Sequence, residues 1–386
     1  MEEALSQLIE ISNRIGKDSS LVVGTGGNTS VKTEDGKHMY IKASGTELKD
    51  MNEEYGWRRL RTDGVREIFE DKHLAGMEAI EREVEMIKRL QMTCDDKFTN
   101  GARPSVESLL HVVLDKCVVH LHASPVLAYA SAKNGKREFL RLFEDEEYPP
   151  LWMPYGDPGF SLSKKVLRYV RKYTGEYGRG PVIMILAKHG LLAAERGPQA
   201  VLQRVETVVG RCKQGLKGPE ITEPQASSRR EVDSVREVIR DALREVTGGE
   251  MPVEHFTNKT VAEFSARKDT CKLLRVPALT PDEMGFASTP VVWLGSYDRK
   301  RAIERIRAVI AKHGKPPVAF LAKDVGLFLV REAGFTSILK EVIVSSLYVR
   351  SRAQDMGGIN PLNKRQRDFV NNWEGEKFRV RVARDS

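Results

Sequence analysis

The chain has 386 residues, 40% hydrophobic and 30% charged, a balance that suits an ordinary soluble globular protein with room for two domains. Apolar runs such as VIMILA are far too short to span a bilayer, and the net charge of +8 fits an anionic partner, either a phosphorylated small molecule or nucleic acid. The basic clusters at Arg229–Arg230, DRKRAIERIR and NKRQRDF are interleaved with acids and poor in aromatics, so they read as solvated helix faces, which argues against nucleic acid.

The opening MEEALSQLIEISNRIG has the period of an amphipathic helix with acids in front, not the basic and then apolar pattern of a secretory signal. LVVGTGGNTSVKT and HMYIKASGTELKDM read as two strands with glycine turns. The turns GTGGNTS (Gly24 to Ser30) and ASGTE (Ala43 to Glu47) could bring backbone N–H groups and hydroxyls close to an anion, or could simply be tight turns. Neither has dinucleotide or Walker spacing. Pro104 and Ser105 mark the start of a helix, SVESLLHVVL, which places Glu107 in its first turn. Glu107 there is either a favourable charge at the helix dipole or an acid/base. His111, four residues on, reads as a packing or hydrogen-bonding histidine.

CVVHLHAS follows as a buried strand. Side chains two apart on a strand share a face, so His120 and His122 point the same way. Buried imidazoles need either carbonyl partners or a metal. Cys117, three residues before His120, faces the other side and reads as core. The four cysteines are scattered and contain no CxxC pair, as expected of reduced thiols in a cytoplasmic protein.

SLSKKVLRYVRKYTGEY is a helix, GPVIMILAKHGLLAAE a strand, a turn and a second strand, and PQAVLQRVETVVGRCKQGL another helix. His189 ends the first of those strands, just before Gly190. With His120 and His122 it makes a three-nitrogen set that leaves a fourth position open, the arrangement of a catalytic zinc or similar ion. The polar stretch that follows holds prolines, glycines and a Ser-Ser pair. It divides the chain into residues 1–215, a linker at 216–232 and a second, smaller α/β domain at 233–386. That domain carries an internal match: PVIMILAKHGLLAAERG from Pro181 aligns without gaps on PVAFLAKDVGLFLVREA from Pro317. Gly190 falls on Gly326 and His189 on Val325, as in a degenerate repeat that has lost a ligand. Function is then expected mainly in the first half.

GGNTS, IKASG, RPSVE, HLH and KHG occur in the order found in the class II aldolase/adducin family. The resemblance covers roughly residues 1–215 and is nearest the aldolase portion of bifunctional rhamnulose-1-phosphate aldolase/dehydrogenases. It implies a three-layer αβα fold. It also implies a metal site of His120, His122 and His189 holding Zn²⁺ or another divalent ion such as Mn²⁺, Co²⁺ or Fe²⁺. Glu107 would be the acid/base, with Asn28, Ser44, Gly45 and Ser105 at the substrate phosphate. The implied activity is that of an aldehyde-lyase cleaving a ketose, such as a sugar 1-phosphate, into dihydroxyacetone phosphate and an aldehyde. The same chemistry serves epimerases, decarboxylases and dehydratases, and the adducin branch is an interaction protein. The resemblance further implies a cytoplasmic homo-oligomer, commonly a tetramer, with no membrane partner. The sequence departs from the pattern where Val106 replaces the second serine before the glutamate, and no G-x-G-x-x-G dehydrogenase fingerprint follows a strand.

Overall fold

The computed structural model of the protein describes residues 2–18, 20–96, 102–216, 227–330 and 335–385. Seven strands come first: β1 (Asn28–Lys32), β2 (His38–Lys42), β3 (Trp57–Arg61), β4 (Cys117–Leu121), β5 (Leu151–Met153), β6 (Ile183–Leu186) and β7 (Gly190–Glu195). They form one sheet in the order β3-β2-β1-β4-β7-β6-β5, antiparallel except at β5–β6. The two-residue period decides what covers each face. Cys117, Val119 and Leu121 of β4 share a core with Leu8, Ile11 and Ile15 of helix Glu3–Gly16 and with Val201, Val205 and Val208 of helix Pro198–Gly215. Val118 turns to the opposite face, with Met184, Leu192 and the apolar stripe Leu162, Val166 and Val170 of helix Phe160–Tyr177. Both faces are therefore roofed by helices, giving the three layers expected, and Cys117 is a buried free thiol of the core. The first turn sequence is less regular than expected, because residues 21–27 are turn and coil and the strand starts only at Asn28.

Four further strands, β8 (Val253–Phe256), β9 (Val292–Leu294), β10 (Ala319–Ala322) and β11 (Gly326–Val330), make a second sheet in the order β8-β11-β10-β9. This repeats β4-β7-β6-β5, and the registers agree residue for residue. Leu186 pairs with Gly190 as Ala322 pairs with Gly326, and Trp152 sits opposite Ile185 as Trp293 sits opposite Leu321. His120 pairs with Leu192 as His255 pairs with Phe328. Even the strained turn is copied: Lys188 and Asp324, equivalent positions, both adopt positive φ (61° and 59°). The short sequence match thus extends over four strands, and the second unit is a degenerate copy of the histidine-bearing half of the first. Segment 217–226, the middle of the expected linker, lies outside the described residues. Helix Arg229–Thr247 then takes up the last linker residues, starting behind a capping box of Ser228 and Glu231.

The copy packs on the helix that follows the HLH motif. Leu127 of helix Ser124–Ala130 shares a core with Ile338, Leu339 and Val342 of helix Thr336–Asp355, and Ser124 Oγ lies 2.8 Å from Ser345 Oγ. The chain then returns to the first unit. Helices Lys364–Asn372 and Glu374–Asp385 bring Phe369, Val370 and Trp373 against Ala79 and Val106. No described helix is long and apolar enough to cross a membrane.

Helix Ala79–Met92, on which those last helices rest, is pinned by Glu83, a buried carboxylate that accepts the Phe160 N–H at 3.0 Å. Burial pushes the Glu83 carboxyl up to about 7, against the pull of that N–H and of Arg82. Its folded pKa exceeds its unfolded one, so the folded state holds the extra proton between pH 4.5 and 7. The stability this group contributes is therefore present at the acid end of that window and declines as pH rises, by roughly 3 kcal/mol at 1.36 kcal/mol per unit. Glu83→Gln should flatten that decline in denaturant melts taken across the window. An unchanged slope would show that Glu83 is not the group responsible.

Candidate metal centre and substrate cleft

His120 is the penultimate residue of β4, and His122 lies one residue beyond the strand end but continues its alternation. Their rings accordingly project to one side, with Nε2 atoms 3.0 Å apart. His189 arrives from the β6–β7 turn, which is tied back by Lys188 N–H donating to Ala130 O and His189 N–H to Leu186 O. Gly190 is required there, because a Cβ would lie 2.4 Å from Leu121 O and 3.0 Å from the His122 ring. All three histidines are buried, with ligand atoms within 4.8 Å of one another.

The outer nitrogens are already engaged. His120 Nδ1 donates to Leu191 O at 2.8 Å, and His122 Nδ1 donates to Asp282 Oδ2. With their protons on Nδ1, both Nε2 lone pairs face inward. Unprotonated nitrogens converging in a dry site repel unless a cation lies between them, and orienting acceptors behind the imidazoles are the usual support of a bound metal. Burial pushes His120 down to about 3, which keeps it neutral, the state a metal requires. Burial alone would also lower His122, but the Asp282 carboxylate outweighs it and holds the pKa above its ordinary value. The donor set therefore fits a divalent ion, with His120, His122 and His189 as the residues to hold it.

Glu107 closes the remaining side. Its Oε1 is 3.1 Å from His189 Nε2 and its Oε2 3.4 Å from His120 Nε2. Asn28 Nδ2, at the start of β1, donates to Oε2 at 2.7 Å. Gly27 makes that approach possible, since its φ is +71° and a Cβ would lie 2.6 Å from His120 O. Glu107 is the N-cap of a helix of only five residues, Ser108–Val112, rather than a member of its first turn, and its side chain makes no capping bond. The dipole explanation thus gives way to the site. Burial would raise the Glu107 carboxyl, but the imidazoles packed around it, with His189 hydrogen-bonded to it, hold it well below the usual carboxylate range. His111 stays outside the trio, its Nδ1 2.8 Å from Ser30 Oγ, as a packing histidine should.

Asn28, Ser44, Gly45 and Ser105 all line one cleft with Glu107, His122 and His189. The expected phosphate residues are therefore brought to the expected metal residues. The expectation that function lies mainly in the first half needs correction, because Trp373, Glu376 and Arg379 also line this cleft. Asp282, from the second unit, reaches the trio from behind. Arg379 Nη2 donates to Asp282 Oδ1 at 2.6 Å and to Glu376 Oε1 at 2.7 Å, both carboxylates being buried and the Arg379 side chain 14% exposed. Asp282 gave no functional signal, because it sits in a Thr-Pro-Asp-Glu helix start in which Thr280 is the N-cap. The C-terminal packing also accounts for Val106: the position that would have held a second serine is instead apolar, against Phe369, Val370 and Trp373.

The profile described as Class II Aldolase and Adducin N-terminal domain matches residues 6–216, more than half the chain, and the protein belongs to this family. A curated relative, the "Uncharacterized oxidoreductase YuxG" of Bacillus subtilis (strain 168), is 25% identical over 303 residues, 74% of this chain. The chain spans 41% of that relative's length. Among solved structures, the N-terminal class II aldolase domain of a conserved protein from Thermoplasma acidophilum is 26% identical, with TM-score 0.45, covering 55% of this chain and 94% of that one. The L-fuculose-1-phosphate aldolase of Thermus thermophilus is 16% identical, with TM-score 0.32, covering 56% and 93%.

Removing the carboxylate behind His122 should loosen the metal. Asp282→Ala is expected to weaken zinc binding by about 10- to 100-fold in competition with a chromophoric chelator, while circular dichroism stays native. Wild-type affinity in that variant would detach Asp282 from the site.

Proposed function

We propose that the protein is a metal-dependent aldehyde-lyase that cleaves a ketose phosphate into dihydroxyacetone phosphate and an aldehyde. The observation that carries this is a carboxylate, Glu107, that faces three converging imidazoles and lines one cleft with the two small-residue turns. A divalent ion held by His120, His122 and His189 would supply Lewis-acid stabilisation of charge developing on a substrate carbonyl oxygen. The chain's own groups handle the proton and the positioning.

Glu107 rests as a carboxylate, because its neighbours hold its pKa low. In the condensation direction it takes the proton from the carbon that will form the new bond. In cleavage the hydroxyl that becomes the aldehyde gives up a proton as the bond breaks, and Glu107, having taken up one proton, delivers it to the same carbon. Asn28, donating to Oε2, fixes which carboxylate oxygen is free to do so. Ser44, Gly45 and Ser105 line the cleft beside it, where N–H and O–H donors would anchor the phosphate and hold the reacting carbon near Glu107. Trp373 lines the cleft with them, where its apolar ring would limit water.

Two variants test the assignment. Glu107→Gln should keep about one zinc per chain by elemental analysis and lose about 10²–10⁴-fold in aldehyde release from ketose phosphates. His122→Ala should lose the metal and the activity together. Full turnover in the first variant would remove Glu107 from the chemistry. A single isomeric product, in place of two fragments, would replace the aldol cleavage with an epimerisation at the same site.

A further inference from the structure

Helix Glu374–Asp385 spends its described acids on other elements of the packing. Arg103 Nη1 donates to Glu374 Oε1 at 3.1 Å, and Arg379 takes Glu376 at 2.7 Å. Lys377, Arg381 and Arg384 are left four and three residues apart, a spacing that sets them on one face of the helix. All three are exposed. Among the described residues neither Lys377 nor Arg381 enters a salt bridge. Arg381 lies over the Phe378 ring, 5.4 Å from its centroid, a contact with the guanidinium face that leaves the in-plane N–H groups for another partner.

This face borders a pocket where the helix meets helices Pro281–Phe286 and Lys364–Asn372, and Lys315 adds a fourth cation to its rim. Met284, Val370 and Val380 give the pocket an apolar side, and Ser288 and Asn371 bring neutral hydrogen-bonding groups. Glu376 is the one acid on its wall among the described residues, and that carboxylate is already held by Arg379. Cations around a concave surface with so little compensation focus a positive potential into it. A ligand with a doubly charged head, several acceptor oxygens and a short carbon skeleton matches such a pocket, and a phosphate monoester has all three. A neutral sugar would leave Lys377 and Arg381 without a counter-charge. A single-stranded nucleic acid would call for aromatic platforms among the cations, and no described aromatic side chain lines the pocket.

We infer that this pocket is a second ligand site, separate from the metal cleft, that takes a small phosphate monoester through Lys377 and Arg381. Glu376 is the one residue common to the two cavities. Helix Glu374–Asp385 therefore works in two directions, with Arg379 at the metal cleft and Lys377, Arg381 and Arg384 at the second pocket. An occupant would neutralise the outer face and help seat the helix whose other side holds Asp282 through Arg379. The inference stands apart from the proposed reaction and from the ion in the cleft.

Ethyl phosphate is the probe, since it has a phosphate monoester and an apolar tail but no carbonyl or hydroxyl for the metal cleft. It is titrated calorimetrically into the full-length, zinc-loaded protein at physiological ionic strength, where general attraction to a basic surface is screened. Wild type should bind it. Lys377→Ala combined with Arg381→Ala should bind it about tenfold more weakly or worse. That double variant should keep its zinc and melt as wild type does, because both side chains are exposed. Arg229→Ala combined with Arg230→Ala removes the same charge from an exposed helix start and should bind as wild type does. No binding by wild type would overturn the inference, as would equal weakening in the two double variants, which would reduce it to overall charge. Binding lost in His122→Ala and kept without Lys377 and Arg381 would move the phosphate to the metal cleft and overturn the second site. Zinc lost together with phosphate binding in the Lys377 and Arg381 variant would overturn it too, because the effect would then run through the cleft. A protein that ignores ethyl phosphate and binds an RNA oligonucleotide through Lys377 and Arg381 would replace the pocket with a nucleic-acid surface. Ethyl phosphate bound through Lys377 and Arg381 by a protein that cleaves no ketose phosphate would uphold the second site and remove the proposed reaction.

Discussion

The architecture around the cleft depends on the convergence of three buried imidazoles. Such an arrangement needs every ring held in place, because buried polar nitrogens without partners are costly. It persists because the outer nitrogens of the HLH pair are fastened elsewhere. One is held by a strand carbonyl, Leu191 O, and the other by a carboxylate, Asp282, brought from 160 residues away in sequence. The first fastening is local and comes with the sheet. The second is not, and it makes the second unit part of the machinery of the first.

That dependence gives the duplication a physical sense. The copy keeps the strand order, the registers and the strained turn of the original, since these define the three-layer packing. It has not kept the trio: His255 stands where His120 stands, but Thr257 and Val325 occupy the places of His122 and His189. His255 Nε2 now lies 3.0 Å from Val325 O, its ring satisfied by the very turn that no longer carries a ligand. Freed of its own site, the copy presents Asp282 to the other one. The half-domain survives as scaffold while its chemistry passes to a helix start between its strands.

Much of this is legible in residue order, and the reasons are uneven. The HLH pair is visible because a strand's period of two is rigid, and the KHG turn because a histidine beside a required glycine is unusual. The repeat shows only at β6–β7 and β10–β11, where apolar strands and glycine coincide. The β4–β8 equivalence is hidden, since Val253–Phe256 shares little with Cys117–Leu121 beyond one histidine. Asp282, Glu376 and Arg379 are invisible for a different reason. Each looks like an ordinary helix charge, at a helix start or at i, i+3 spacing, and only tertiary packing turns that side inward.

The C-terminal helices tie these constraints together. Val106 stands at the cleft edge in apolar contact with Phe369, Val370 and Trp373, so helix docking sets the character of that position. Docking brings Arg379 in, and a buried guanidinium is tolerable only if paired. Asp282 and Glu376 supply the pairing, and Asp282 is the same carboxylate that orients His122. The ligand geometry, the charge balance of the cleft and the seating of the last helix therefore share one side chain. Residues remote in the chain thereby meet at one carboxylate.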